Sequence, residues 1–100
     1  MGKKEVFSDQ EIGMLAKRFK TLSEGSRLKI IRALHSGEKC VTDIINITGL
    51  LQANVSKQLK ILENDGVVTC RPAGLQRFYK ISDPIVFQIC QEVCQTKKEK

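Results

Sequence analysis

The chain has 100 residues, with 17 lysines and arginines against 11 acidic residues and a formal net charge of +6. This length predicts one domain with a small core that favours oligomerisation, and the basic balance indicates a polyanionic partner. No apolar run of about 18 residues occurs, and the first ten residues lack the apolar segment of a signal peptide, so we expect a cytoplasmic protein without membrane contact.

Two amphipathic helices are predicted before residue 37. The first begins at Ser8, because Glu11 three positions later completes a capping-box pattern. Its predicted buried face comprises Ile12, Leu15, Ala16, Phe19 and Leu22. The second follows the break at residues 23–26 and is expected to bury Leu28, Ile31 and Leu34. His35, the only histidine, is expected to be an exposed surface group at the end of this second helix.

A helix-turn-helix is predicted between residues 40 and 65. A short helix buries Val41, Ile44 and Ile45. Gly49 follows it where the chain turns, because glycine accepts a positive φ without steric cost. The longer helix at residues 52–65 then buries Val55, Leu59 and Leu62, which share one side at 100° per residue.

The opposite side of this longer helix is small, polar and cationic, and it consists of Ala53, Asn54, Ser56, Lys57 and Lys60. A B-DNA major groove admits one helix and offers hydrogen-bonding base edges flanked by phosphates. The face therefore suits that groove, although a merely solvated helix surface has the same composition. The helix-turn-helix context favours DNA binding.

A two-stranded hairpin, or wing, is predicted directly after the longer helix. VVTCR is rich in strand formers, residues 72–74 break the pattern, and LQRFYKI resumes it with a period of two. Arg71 and Arg77 are expected beside the tip, where arginine reaches phosphates or the minor groove. The predicted fold is mainly α with a small β-hairpin, in the order α-α-α-α-β-β-α.

The last helix is predicted to form a homodimer interface. Asp83 or Ser82 can cap it, and Pro84 fits its first position. Its apolar arc spans about 200° on a helical wheel, which is wider than one domain needs to cover, and comprises Ile85, Val86, Phe87, Ile89, Cys90, Val93 and Cys94. We expect it to pack on its own domain and on its twin across a two-fold axis. Residues 1–8 and 96–100 are expected to be flexible tails of this single domain.

The four cysteines differ in their expected roles. Cys70 lies on the same side of its strand as Val68 and is expected to fill the core. Cys40 precedes a helix N-terminus, where the dipole favours a thiolate. Cys90 and Cys94 are four residues apart, so their sulfurs share one helix face and could hold a soft ion. Burial of both as small apolar groups in an interface is an equally good interpretation.

The stretch GEKCVTDI…NVSKQLKILENDGVVTCRPAGLQRFYKI resembles the ArsR/SmtB family of winged-helix metalloregulatory repressors. With FKTLSEGSRLKIIRAL upstream, the similarity covers roughly residues 12 to 95, and VSKQLKILENDGVV is its most specific part. Gln58 stands where family members usually have histidine. The resemblance implies a homodimeric repressor that leaves its operator when an inducer, most often a metal or metalloid ion, binds. A two-fold dimer should meet an imperfect inverted-repeat operator, and we expect DNA binding to need no cofactor.

We expect two kinds of site residue. The DNA contacts are assigned to Thr42, Gln52, Asn54, Ser56, Lys57, Lys60, Arg71 and Arg77. The inducer, arsenite or another soft metal ion, is assigned to the thiolates of Cys40, Cys90 and Cys94. Family members often have a further cysteine where Thr42 stands. The resemblance also implies a zinc site on the last helix, which we exclude because Ile85 occupies a histidine position although Asp83 matches.

Other functions remain as alternatives. A repressor of the same fold could sense persulfides or oxidants through the same thiols. The protein could also be a winged-helix interaction module without an inducer. Its positive net charge would then have no role in binding a partner. A thiol carrier would be expected to have a CxxC pair, which the sequence lacks. The sequence also has no catalytic constellation of Ser, His and Asp or of paired carboxylates, so we do not expect an enzyme.

Overall fold

The fold is that of a computed structural model, which describes the backbone of residues 7–98 and the side chains of residues 7–95. Within these limits the elements are α1 (Asp9–Leu22), α2 (Gly25–His35), β1 (Lys39–Cys40), α3 (Val41–Thr48), α4 (Gln52–Asn64), β2 (Val68–Ala73), β3 (Gln76–Ile81) and α5 (Pro84–Lys98). This order confirms the predicted winged helix-turn-helix, with β1 as an addition. Of the predicted tails, residues 1–6 and 99–100 lie outside the described residues, whereas Ser8 caps α1 and residues 96–98 continue α5.

Local sequence signals set the helix boundaries. The Ser8 hydroxyl accepts a hydrogen bond from the Glu11 backbone N–H at 3.1 Å, and the Ser8 N–H donates to the Glu11 carboxylate at 2.8 Å, which forms the expected capping box. Glu24 caps α2 by accepting from the Arg27 N–H at 3.1 Å. Gly49 ends α3 with a φ of 75°, and its N–H donates to the Ile45 carbonyl at 2.9 Å.

The core lies between α2, α3, α4 and the sheet. The predicted faces of α3 and α4 are confirmed, since Ile44, Val55 and Leu62 are fully buried and Leu59 nearly so. The predicted face of α2 is partly wrong, because Ile31 and Leu34 are buried but Leu28 is exposed. The core cluster consists of Leu22, Ile30, Ile31, Leu34, Ile44, Val55, Leu59, Leu62, Val67, Val68, Tyr79 and Val86.

The apolar faces of α1 and α5 are largely uncovered in the single chain. Of the five residues predicted to be buried on α1, only Leu22 is buried, and Phe19 is 55% exposed. On α5, Val86 is fully buried, whereas Val93 is 67% exposed. The predicted burial of α1 is therefore wrong for one chain, because most of this helix lies outside the core cluster.

The three strands form an antiparallel sheet in the order β1-β3-β2. In the wing, β2 and β3 pair from Val68 opposite Ile81 to Ala73 opposite Gln76. The short β1 pairs Lys39 with Tyr79, so it attaches the wing to the residues that precede α3. None of the helices in residues 7–98 is long and apolar enough to cross a membrane.

Candidate nucleic-acid interface and thiol site

The exposed side of α4 carries four of the eight predicted DNA contacts. Gln52, Ser56, Lys57 and Lys60 are all exposed, and no acidic residue occurs between the first and the last of them. The helix begins after Leu51, whose side chain cannot accept a capping hydrogen bond. The first N–H groups of α4 and the positive end of its dipole are therefore available to a phosphate.

Asn54 differs from the other predicted contacts. It is half-buried, its Nδ2 donates to the Ser26 hydroxyl at 3.2 Å, and its Oδ1 accepts from Gln58 Nε2 at 2.9 Å. Gln58 is 5% exposed, and its Oε1 accepts from Arg27 Nη1 at 3.1 Å. The Asn54 amide thus faces α2, so it could read a base only after leaving these partners. The spacing of Asn54 and Gln58, one helical turn, was the signal that sequence reasoning left unused.

The two wing arginines have different surroundings. Arg71 donates to both carboxylate oxygens of Glu38, at 3.0 and 2.8 Å, and its guanidinium lies 5.0 Å from the centre of the Phe78 ring. The hydrogen bond from Arg71 lowers the pKa of the Glu38 carboxyl. Arg77 is exposed and donates to Cys70 Sγ at 3.5 Å. Arg77 is therefore available to a phosphate, whereas Arg71 must first leave Glu38.

Thr42 lies in the first turn of α3 and is exposed, as its predicted role requires. Cys40, two residues earlier, is the N-cap residue of α3, but its thiol makes no capping hydrogen bond and the residue is 8% exposed. Cys40 also pairs with Phe78 across β1 and β3. Little of Cys40 is therefore accessible to a reagent in solution.

The other cysteines lie in two separate places. Cys70 is half-buried and packs against the core cluster beside Val68, as predicted. On α5, Cys90 is half-buried and Cys94 is exposed. Burial raises the pKa of the Cys90 thiol, and the neighbouring Cys94 raises it further. Cys94 is therefore the more accessible sulfur of this pair.

The structure does not bring the three predicted thiol ligands together in one subunit. Among the described residues, no group of three or more histidine, cysteine, aspartate or glutamate side chains could hold a metal ion. The Asp83 carboxylate, which the family resemblance matched to a zinc ligand, instead binds Arg18 Nε at 2.8 Å. The expected exposure of His35 is wrong, because its ring lies 4.6 Å from that of Phe87 and its Nε2 is buried.

A helix-turn-helix followed by a wing, with an exposed cationic helix face and an arginine on the wing, defines the winged helix-turn-helix class of transcriptional regulators. The family model described as "Bacterial regulatory protein, arsR family" matches residues 24–69. The chain is 32% identical over 95 residues to a transcriptional repressor SmtB homolog of Synechocystis sp., covering 95% of this chain and 72% of that protein. The chain belongs to the ArsR family of bacterial regulatory proteins.

Two further relatives have informative descriptions. The arsenical resistance operon repressor of Staphylococcus aureus is 32% identical over 74 residues, covering 74% of this chain and 71% of that protein. The homodimeric winged helix-turn-helix DNA-binding domain Mb0332 of Mycobacterium bovis superposes with a TM-score of 0.76 at 28% identity, covering 96% of this chain and 92% of that one. The relatives are transcriptional regulators and not enzymes.

Proposed function

We propose that this protein is a homodimeric repressor that binds double-stranded operator DNA and leaves it when a thiol-reactive inducer binds. One observation carries the DNA-binding part of this proposal, namely the exposed face of α4. Ser56 and Lys57 would meet base edges or adjacent phosphates, and Gln52 lies beside them near the start of the helix. Lys60 and Arg77 would contact the backbone, with Thr42 and Arg71 at the margins of the interface.

The uncovered apolar side chains support the dimer. Ile12 is 48%, Phe19 is 55% and Val93 is 67% exposed in the single chain. Three large apolar groups on α1 and α5 favour burial against a second copy. Because each is already about half covered, each would contribute roughly 1 kcal/mol on covering the rest, which is about half the value for a fully exposed side chain. The M. bovis relative is homodimeric. In a two-fold dimer the α4 helices would meet successive major grooves about 34–36 Å apart, so the operator would be an imperfect inverted repeat.

The inducer is proposed to bind the thiols of α5. Arsenite or another soft metal ion requires thiolate ligands, and a metalloid uses about three of them. Since one subunit places only Cys90 and Cys94 on this face, the remaining sulfur would come from the same helix of the second subunit. Cys40 is a weaker candidate because it is buried. The S. aureus relative is described as an arsenical resistance repressor.

A second candidate inducer is a persulfide or an oxidant. The exposure of Cys94 beside the half-buried Cys90 favours this inducer. An oxidant or persulfide would first react with the accessible sulfur of Cys94, and the neighbouring Cys90 thiol would then react with the modified Cys94. A disulfide between residues four apart in a helix is geometrically awkward. The second step would therefore require a longer sulfur bridge or a local unwinding of α5.

Fluorescence titration of the purified protein against duplex from its own promoter tests the proposal. We expect saturable binding whose log affinity falls linearly with log salt, with a slope of about −0.9 for each phosphate neutralised. Lys57→Ala combined with Arg77→Ala should weaken binding and reduce that slope. Arsenite, cadmium and a persulfide are then added separately to the bound complex. Unchanged affinity in the double variant would refute the assigned DNA face.

A further inference from the structure

A network of hydrogen bonds joins the start of α2 to one flank of α4. Arg27 Nη1 donates to Gln58 Oε1 at 3.1 Å, Gln58 Nε2 donates to Asn54 Oδ1 at 2.9 Å, and Asn54 Nδ2 donates to the Ser26 hydroxyl at 3.2 Å. These four side chains are called the polar clamp below. The clamp begins and ends on adjacent residues of α2, so it holds α4 at two points one helical turn apart.

The clamp is anchored to the end of α1 as well. Arg27 Nε donates to the backbone carbonyl of Thr21 at 2.6 Å. The Thr21 hydroxyl, in a residue only 4% exposed, lies 2.7 Å from the carboxylate of Asp65, the C-cap residue of α4. The corner between α1 and α2 therefore contacts α4 near its beginning, at its middle and at its end.

The contacts lie on a single stripe of α4. At 100° per residue, Asn54, Gln58 and Asp65 fall within about 40° of one another. The apolar core face, centred on Val55 and Leu59, lies on one side of this stripe, and the exposed Lys57 lies on the other. Apolar packing resists movement of α4 away from the core but resists rotation about the helix axis only weakly. Directional hydrogen bonds on the flank supply that rotational constraint.

We propose that the polar clamp sets the rotation of α4 in the major groove and thereby determines which operator is preferred, and that Asn54 is a positioning residue rather than a base contact. This inference rests on the proposed DNA-binding function. A helix whose rotation is fixed presents the same side chains to the same base edges in every complex. Without the clamp, the helix would keep its charge and its affinity for phosphates while its base contacts became less well aligned.

The test begins by selecting preferred duplexes from a random pool with the unaltered protein. The same selection is then made with Gln58→Leu and Asn54→Leu, which leave the net charge unchanged, and with the exposed Gln10→Leu as a matched control. We expect both clamp variants to lose about 5- to 150-fold of their preference for the selected duplex over a scrambled one. The loss should be spread over every base pair that α4 meets, while affinity for the scrambled duplex stays the same.

Two further variants separate positioning from stability. Gln58→Glu keeps the acceptor for Arg27 but removes the donor to Asn54 Oδ1, so it should lose less of the preference than Gln58→Leu does. Combining Arg27→Met with Gln58→Leu removes both partners of their hydrogen bond but also the bond from Arg27 to the Thr21 carbonyl. The double variant should therefore recover only part of the thermal stability lost in Gln58→Leu, and none of the preference. A protein that selects no sequence would overturn the proposed function and the clamp with it. Normal selection by the unaltered protein, with Asn54→Leu relaxing one base pair and Gln58→Leu none, would overturn the clamp alone.

Discussion

The Nε atom of Arg18 lies 2.8 Å from Oδ2 of Asp83, and this ion pair joins α1 to the start of α5. The same carboxylate accepts hydrogen bonds through Oδ1 from the backbone N–H groups of Ile85 at 3.0 Å and Val86 at 3.4 Å. Asp83 is only 8% exposed. One side chain therefore both caps α5 and holds it against the helix with which it shares the proposed dimer interface.

Removing this carboxylate should destabilise the protein. We expect Asp83→Ala to lower the free energy of unfolding by about 2–4 kcal/mol, since the cap contributes about 1 kcal/mol and the half-buried pair the rest. Asp83→Asn retains a capping oxygen and should cost about half as much. Urea denaturation measures both, with the exposed Asp9→Ala as the control. Equal stability of Asp83→Ala and the unaltered protein would mean that the pair does not form in solution.

The ion pair between Arg71 and Glu38 should restrain DNA binding. A phosphate must compete with Glu38 for the Arg71 guanidinium, so Glu38→Gln should raise affinity for every duplex. The salt slope should steepen by about one unit, because one more cation then meets a phosphate. In the unaltered protein, Arg71→Ala should weaken binding less than Arg77→Ala does. A larger effect of Arg71→Ala would show that the pair with Glu38 is already broken in the complex.

The proposed dimer should depend on side chains that are exposed in the single chain. Phe19→Asp combined with Val93→Asp should raise the dimer dissociation constant by at least about 100-fold, because two apolar groups lose their burial and charges take their place. Sedimentation equilibrium measures the change. Leu75→Asp at the tip of the wing, where the side chain is fully exposed, is the control and should leave the dimer intact. Equal dissociation constants for the double variant and the control would exclude this interface.

Induction should require the two thiols of α5. We expect the double variant Cys90→Ser, Cys94→Ser to bind operator normally. In the unaltered protein the inducer should weaken operator binding about 5- to 150-fold, which corresponds to a coupling of about 1–3 kcal/mol, and the double variant should lose this response. Because burial raises the pKa of Cys90 above the ordinary thiol value of 9.0, an inducer that needs thiolates should bind more tightly as the pH rises towards and beyond 9. Titration of the bound complex with each inducer measures both effects.

The remaining cysteines are the controls for that experiment. Cys70→Ser should leave induction unchanged apart from any loss of stability, and Cys40→Ser shows whether the buried third thiol takes part. Normal release of DNA from the double serine variant would mean that Cys90 and Cys94 are packing residues and that the sensor lies elsewhere.

Tyr79 should titrate far above the ordinary range. Burial, followed by the hydrogen bond with Cys70, raises the pKa of Tyr79 from 10.0 to about 12. The folded state therefore favours the protonated phenol, and the free energy of unfolding should fall as the pH rises from about 10 to about 12. Tyr79 is the only tyrosine, so the phenolate absorbance reports it alone. Titration near 10 in the folded protein would show that the ring is solvated, and Cys70→Ala should lower the pKa.

The sequence predicted most helix boundaries well because their signals are local. The capping box at Ser8, the glycine at position 49 and the periodic apolar side of α4 each depend on residues a few positions apart. The strand β1 was not predicted, since two residues are too few to show a period. Leu28 was assigned to the core by spacing alone, but the structure buries Ile30 instead, and the pattern within α2 did not distinguish the two.

The site was predicted less completely, because side-chain partners are not local. The polar face of α4 could be located on a helical wheel, and four of its predicted contacts are exposed. Asn54 is hydrogen-bonded to Ser26, which is 28 residues away in the sequence. Arg71 is hydrogen-bonded to Glu38, which is 33 residues away. Likewise, spacing placed Cys90 and Cys94 on one face but could not show that Cys40 lies in a different part of the molecule.

The two residues of β1 limit the ways in which this protein can be regulated. Lys39 and Cys40 pair with β3 and lead directly into α3. No loop residues therefore separate the strand that pairs with the wing from the first helix of the helix-turn-helix. A ligand therefore has little freedom to change the angle between the wing and α4 within one subunit. We therefore expect control of DNA binding to act on the distance and twist between the two subunits of the proposed dimer.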